Sequence, residues 1–198
     1  MKLYDLDVSG NCYKVRLYAA LKQIPISLVA VDFYGGEHLR EPLISMNPWG
    51  EIPVLEDEGI MLRDSQAILC YLAKKYGDDQ RLPGDPREFA KVMSWLSVAT
   101  NEVHHGLESV RLFHRFDVRL DEPLARTRSE GTLRVVNRHL AERRWLVGDR
   151  VTLADIALFP YIALAHEGHV DISPYPHVVR WVEGVKVLPG FITMPGLM

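Results

Sequence analysis

Ser9, Gly10, Asn11 and Cys12 put a hydroxyl, a carboxamide and a thiol within four residues, just ahead of a run with helical character. Ser and Asn at such a place cap a helix by accepting from its free N–H groups. The helix end also carries positive potential, so a hydroxyl and an amide there equally suit an anion. Asp64 and Ser65 repeat the pattern before a second run, in which Ile68, Tyr71, Leu72 and Tyr76 keep i, i+3, i+4 spacing. Capping and anion binding explain that pair equally well. Cys12 and Cys70 read as small apolar core residues.

The remaining polar candidates point away from metal chemistry. His104 and His105 are adjacent, so on a helix they point about 100° apart and do not share a metal easily. The H-E-G-H stretch from His166 to His169 lacks the H-E-x-x-H spacing. No metal site is expected. Lys14 and Arg16 read as a solvated helix face. His38, after Gly35-Gly36-Glu37, reads as a loop histidine.

The elements that must hold these residues fall into two kinds. Met1 to Leu6 alternates as a short strand, and Cys12 to Leu21 is a helix that Pro25 brings to an end. Ile26 to Val31 reads as a buried strand. After the N-P-W-G turn, Pro53 to Leu55 and Ile60 to Leu62 read as a hairpin around Gly59, and Asp64-Ser65 opens a helix. This order suits one parallel pair and one antiparallel pair. The stretch Gly77 to Arg87 is polar, with two prolines and two glycines, and marks a linker. Beyond it the strand signal stops. Phe89, Val92, Met93, Leu96, Val103, Leu107 and Val110 form one helical stripe; Leu133, Val136 and Leu140 form another; Val178, Trp181, Val182 and Val185 form a third. Between the last two, Thr152 at N-cap and Asp155 at N3 read as a capping box, with Val151 and Ile156 as its hydrophobic staple. The helix they open is apolar nearly all round and is expected to run through the middle of a helical domain.

Composition narrows the class. The chain has 198 residues, with 23 Lys plus Arg against 26 Asp plus Glu, a net charge of −3. That balance argues against gripping nucleic acid or an anionic membrane. The longest apolar run, Ile156 to Ala165, falls short of the roughly 20 residues that cross a bilayer. The start M-K-L-Y-D-L-D lacks a signal peptide's apolar stretch, and two cysteines make no disulfide framework. Together they lead us to expect a reducing, cytoplasmic setting.

Four motifs taken together are more specific: S-G-N-C-Y-K-V-R, N-P-W-G-E-I-P-V-L, D-S-Q-A-I-L-C-Y-L-A and the T-L-A-D-I block at Thr152. In order and spacing the chain resembles the cytosolic glutathione S-transferase superfamily along essentially its whole length, most of all bacterial members of the theta-like serine type. The ending L-P-G-F-I-T-M is similar to the tail of such proteins. The resemblance implies an α/β thioredoxin-like domain over 1–78, a linker over 79–87 and an all-α domain over 88–198.

It also implies a site. Ser9 is the expected donor to the glutathione sulfur, with Asn11 adding an amide N–H. Glutathione's thiol resembles free cysteine, pKa about 8.5, so such donors favour the thiolate. Of the thioredoxin-type C-x-x-C pair, Ser9 to Cys12 keeps only the second cysteine. The resemblance implies a cis bond before Pro53, with the main chain of Ile52 pairing with the cysteinyl unit like an added strand. It implies that Ser65 binds the γ-glutamyl carboxylate, that Asp64 faces the ammonium, and that His38 reaches the glycine carboxylate. Some relatives place a second polar contact to that carboxylate just before the residue matching Ile52, but this chain has Gly50 and Glu51 there, and Glu51 repels a carboxylate. His105, Phe113 and Phe116 are the expected walls of a second-substrate pocket between the domains. The implied activity is conjugation of glutathione, as cosubstrate, to a small electrophile by a homodimer. The alternatives are glutathione-dependent reduction of disulfides or peroxides, and a binding protein that reuses the fold.

Overall fold

The computed structural model describes residues 1–197, so Met198, the end of the expected helical half, lies outside the described residues. Its contacts cluster into two units, residues 1–77 with 189–195 and residues 78–188 with 196–198.

The first unit is a four-stranded sheet with helices. Strand β1 (Lys2–Asp5) leads into helix α1 (Gly10–Leu21), which returns the chain to β2 (Ser27–Ala30), parallel to β1 with Leu3 opposite Leu28. A short helix α2 (Leu43–Met46) precedes β3 (Val54–Asp57), antiparallel to β1, and β4 (Ile60–Arg63) closes a hairpin on β3. The hairpin turns on Glu58 and Gly59, both with positive φ (48° and 84°), the primed geometry that matches strand twist. Helix α3 (Ser65–Lys75) follows, and the strand order is β2-β1-β3-β4.

Three expectations about burial are corrected here. The sheet order puts β2 at an edge, so it is largely exposed, not a buried strand, and Leu28 is 53% exposed. In α3 the buried residues include Ile68, Leu69 and Leu72, while Tyr76, at the C-cap, is exposed. Cys70, expected in the core, is only half-buried, because it stands at the margin of that face.

The second unit is helical. Helix α4 (Pro86–Val98), capped by Asp85, runs into a π-helical segment (Ala99–Glu108) and then α5 (Ser109–Phe116). Of the expected stripe, Val92, Leu96, Val103, Leu107 and Val110 are buried. Phe89 and Met93 are exposed, since they flank the Val92–Leu96 line and do not lie on it. Helices α6 (Glu122–His139), α7 (Leu153–Ala163) and α8 (Pro176–Lys186) complete the unit.

Every residue of α7 from Leu153 to Ile162 is buried, as its sequence leads one to expect. Asp155 holds its entry. The carboxylate accepts from Thr152 N (2.9 Å), Leu146 N (3.0 Å) and the Trp181 indole (2.9 Å). Burial pushes its pKa up, and these donors oppose the rise. No helix among the described residues is long and apolar enough to cross a membrane.

Candidate functional site

Ser9 is the N-cap of α1: its backbone is extended and its Oγ accepts from Cys12 N at 3.3 Å. A hydroxyl that accepts still has one proton to place by rotation. Asn11 stands in the first turn, half-exposed. Two other groups at this end of the helix are withdrawn from chemistry. The Cys12 thiol is wholly buried, and burial together with the charge of Asp5 pushes its pKa up to about 12; the hydrogen bond from Ser9 only partly offsets this. The Tyr13 phenol is buried too and donates to the carbonyl of Ile192 (2.5 Å), in the tail that rejoins this unit.

The expected solvated face at Lys14 and Arg16 is not there. Lys14 is 1% exposed, and its Nζ donates to Asn11 Oδ1 at 2.7 Å. Arg16 pairs with Asp5 (3.3 Å) and donates to the carbonyl of Asp7 (2.7 Å). Both side chains fold back under the helix start. An Asn–Lys pair at i, i+3 was the available signal, but that spacing looks the same on a wet face.

The turn Asn47–Gly50 is organised by a buried asparagine. Asn47 Oδ1 accepts from Trp49 N (3.1 Å), and its Nδ2 donates to the carbonyl of Glu51 (2.8 Å). Sequence reading gave Asn47 no role beyond the turn. Its amide fixes the main chain immediately before Ile52. The Ile52–Pro53 peptide is cis, as is Glu41–Pro42. Ile52 lies outside the β3 ladder, and its main-chain groups make no hydrogen bond to the described residues. Pro53 is buried beside them.

Asp64 caps α3 with a single oxygen, since Oδ1 accepts from both Gln66 N (3.0 Å) and Ala67 N (2.9 Å). Its φ of 69° lies where residues with a Cβ are strained, and such positions cluster at functional sites. The cap takes up two of the N–H groups expected for a ligand. Ser65 N–H is left without an acceptor among the described residues. Ser65 Oγ is buried, 2.5 Å from Gln66 Oε1 and 3.4 Å from Asn11 Oδ1. Ser65, Asn11 and Lys14 are therefore one hydrogen-bonded cluster, with Ser9 one turn away.

His38 sits in a 3-10 turn (Glu37–Leu39) and stacks on Phe33, ring centroids 3.8 Å apart. Its Nδ1 is buried without a partner, so Nε2 is the ring nitrogen available to a ligand. Gly50, with φ 62°, packs against this turn: a Cβ there would fall 2.5 Å from a Leu39 methyl and 3.9 Å from the His38 ring. The turn ahead of Ile52 and the His38 turn are thus in contact.

The other expected residues belong to the second unit. His105 is exposed on the π-helical segment. Phe113 is exposed on α5, and Phe116 lies under the guanidinium groups of Arg111 (5.0 Å) and Arg115 (5.5 Å). His104 pairs with Glu108 (3.1 Å), which also accepts from Tyr161 (2.8 Å). Among the described residues no three His, Cys, Asp or Glu side chains are grouped to hold a metal ion.

Known proteins share the sequence pattern and the fold. Residues 3–81 match the glutathione S-transferase N-terminal domain family, and residues 102–184 match the glutathione S-transferase C-terminal domain family. A glutathione S-transferase of Arabidopsis thaliana is 31% identical over 100% of this chain and 96% of its own length. The crystal structure of a glutathione S-transferase from Pseudomonas fluorescens is similar with a TM-score of 0.93 and 33% identity, covering 98% of both chains. One from Xanthobacter autotrophicus gives 0.90 and 30%, covering 99% of this chain and 97% of that one. With both halves matched in order and relatives aligned from end to end, the protein belongs to the cytosolic glutathione S-transferase superfamily and is an enzyme of that kind.

Proposed function

We propose that the enzyme conjugates the thiolate of glutathione to a small electrophile, in the manner of the theta-like serine type. The observation that carries this reading is the division of labour at α1. The Ser9 hydroxyl caps the helix and keeps a rotatable proton, while the Cys12 thiol and the Tyr13 phenol are buried and withdrawn. Ser9 and Asn11 donate to the sulfur. The unpaired main chain of Ile52, beside Pro53, takes the cysteinyl unit as an added strand. Ser65 N–H and Oγ take the γ-glutamyl carboxylate, the second oxygen of Asp64 takes the ammonium, and His38 Nε2–H donates to the glycine carboxylate. The thiolate's electron pair forms the new S–C bond, and the leaving group departs with the pair it shared with that carbon. The protein supplies binding, thiolate stabilisation and proximity. His105, Phe113 and Phe116 are the candidate contacts of the electrophile.

Reduction of disulfides or peroxides through Cys12 is the weaker reading, because a thiol with a pKa near 12 gives almost no nucleophile at neutral pH; reduction by a glutathione thiolate held at Ser9 and Asn11 is separated from conjugation by assay. We further infer a cytoplasmic detoxification enzyme acting as a homodimer. Large apolar side chains left open in each unit favour pairing: Trp49 is 71% exposed, and Phe89 and Met93 are exposed on α4. The test is a panel of electrophiles and disulfides assayed with glutathione. Conjugation above the uncatalysed rate, with disulfide reduction absent, supports the reading; reduction without conjugation overturns it.

A further inference from the structure

The peptide that joins Glu51 to Ile52 is held at one end and open at the other. Its carbonyl oxygen accepts from Asn47 Nδ2 at 2.8 Å, and its N–H, which belongs to Ile52, makes no hydrogen bond to the described residues. The peptide is trans, so the two groups point in opposite directions, and whatever fixes the carbonyl also aims the N–H. Among the described residues Asn47 alone fixes it. The Asn47 amide can sit only one way round: Oδ1 faces the N–H of Trp49 (3.1 Å) and Nδ2 faces a carbonyl, and a flipped amide would set donor against donor and acceptor against acceptor. The turn does not need the Nδ2 bond. Main-chain bonds close it, from Asn47 N to the Leu43 carbonyl (2.9 Å) and from Gly50 N to the Asn47 carbonyl (2.9 Å), and Oδ1 shapes it further through Trp49. A serine or an aspartate supplies such an oxygen equally well in a turn, but neither reaches Glu51 with a donor. The buried carboxamide, 3% exposed, is therefore placed for the Glu51–Ile52 peptide.

We propose that Asn47 is a positioning residue for the cysteinyl unit of glutathione: by holding the Glu51 carbonyl it turns the Ile52 N–H away from the turn, as a fixed donor to the ligand's cysteinyl carbonyl. The inference rests on the reading of Ile52 as the strand-like contact of that unit. Without the Asn47 donor, the peptide is free to rotate about its flanking bonds and offer its carbonyl oxygen, which repels the carbonyl of the ligand. Pro53, next in the chain, has no N–H to offer in its stead. Holding the peptide in advance also spares the complex the cost of ordering it at the moment of binding.

The test is calorimetric binding of S-methylglutathione, and of the same ligand with a trans-alkene in place of its cysteinyl–glycine amide, which lacks the carbonyl. The wild type, Asn47→Ser and Asn47→Asp are compared at about pH 8, where a carboxyl is ionised. Both variants keep an oxygen for Trp49 N, and neither donates to Glu51. One neutral hydrogen bond is worth about fivefold, so the wild type is expected to bind S-methylglutathione about fivefold more tightly than the alkene. In Asn47→Ser, S-methylglutathione is expected to lose about that factor while the alkene loses little, so the preference between them disappears. Asn47→Asp is expected to lose the preference in the same way. A merely structural asparagine would lower the melting temperature and weaken both ligands alike, leaving the preference at its wild-type value; that result overturns the proposal. Should Asn47→Ser fail to fold, an unchanged preference in Asn47→Asp overturns it alone. A wild type that binds both ligands equally would take the cysteinyl carbonyl away from Ile52 and overturn the proposal too. A wild type that binds neither would overturn the glutathione-binding reading itself, and this inference with it.

Discussion

Ser9 Oγ lies 3.3 Å from the amide nitrogen of Cys12, and the hydroxyl and the thiol that this bond brings within one turn have different tasks. The hydroxyl stays at the mouth of the helix, while the thiol is turned inward and buried.

Replacing Ser9 with Ala removes a cap and a sulfur donor together. The expected outcome is a raised kinetic pKa for bound glutathione and a slower turnover at neutral pH. The loss should fall below the roughly 10²–10³ seen for oxyanion donors, because sulfur accepts more weakly and Asn11 remains. Loss of the cap should also lower stability by about 1 kcal/mol. Cys12→Ser is expected to keep conjugation within about twofold while lowering the melting temperature, because a second hydroxyl is then buried. Conjugation abolished by Cys12→Ser and spared by Ser9→Ala would replace the serine mechanism with a cysteine one.

At α3 the two residues should separate by what they lose. Ser65→Ala is expected to raise the Michaelis constant for glutathione about tenfold with turnover little changed, the low end for a charge-assisted bond, since the hydroxyl must first leave Gln66. Asp64→Asn keeps the capping oxygen and tolerates positive φ, so the fold should hold. It removes the charge facing the ammonium, and about fivefold in the same constant is expected. A collapsed turnover at unchanged Michaelis constant in either variant would misplace the γ-glutamyl group.

The Asp57 carboxyl gives a pH signature unconnected with catalysis. A hydrogen bond from Lys75 (2.5 Å), with a second from Tyr71 (2.8 Å), holds its pKa below the ordinary value of 3.8. The folded value lies below the unfolded one, so the stabilisation is full above pH 3.8 and is lost as pH falls through the folded value. Thermal melts should show Asp57→Asn less stable than the wild type at pH 7, with the gap closing below pH 3.8. A gap that persists in acid would assign the effect to packing.

Light scattering at micromolar concentration should return twice the chain mass of 22.6 kDa. One chain mass with activity intact would remove the homodimer from the proposal.

Legibility followed the range of the interactions. The capping box at Thr152 and Asp155 could be read because both partners lie within one turn. The hairpin at Gly59 could be read because its turn chemistry is local. The exposure of β2 could not, since it depends on which strand ends up at the edge of the sheet. The burial of Lys14 could not either: its i−3 partner is in the sequence, but what covers it comes from tertiary packing. Of the site, Ser9, Asp64 and Ser65 stood out as helix-start residues. Asn47 did not, because its task is to hold the carbonyl of another residue.

The four tryptophans fall into very different surroundings, and this gives the protein an optical label for each half. Trp49 is the sole tryptophan of residues 1–77 and faces water, whereas Trp181, buried in the helical unit, donates its indole to Asp155. Water around an excited indole shifts its emission to longer wavelength, and an apolar shell leaves it short. With the half-exposed Trp95 replaced by Phe, the long-wavelength edge of the spectrum reports whatever comes to cover Trp49, and the short-wavelength edge reports the packing around the buried Trp145 and Trp181. Both signals can be read from unlabelled protein in a single scan.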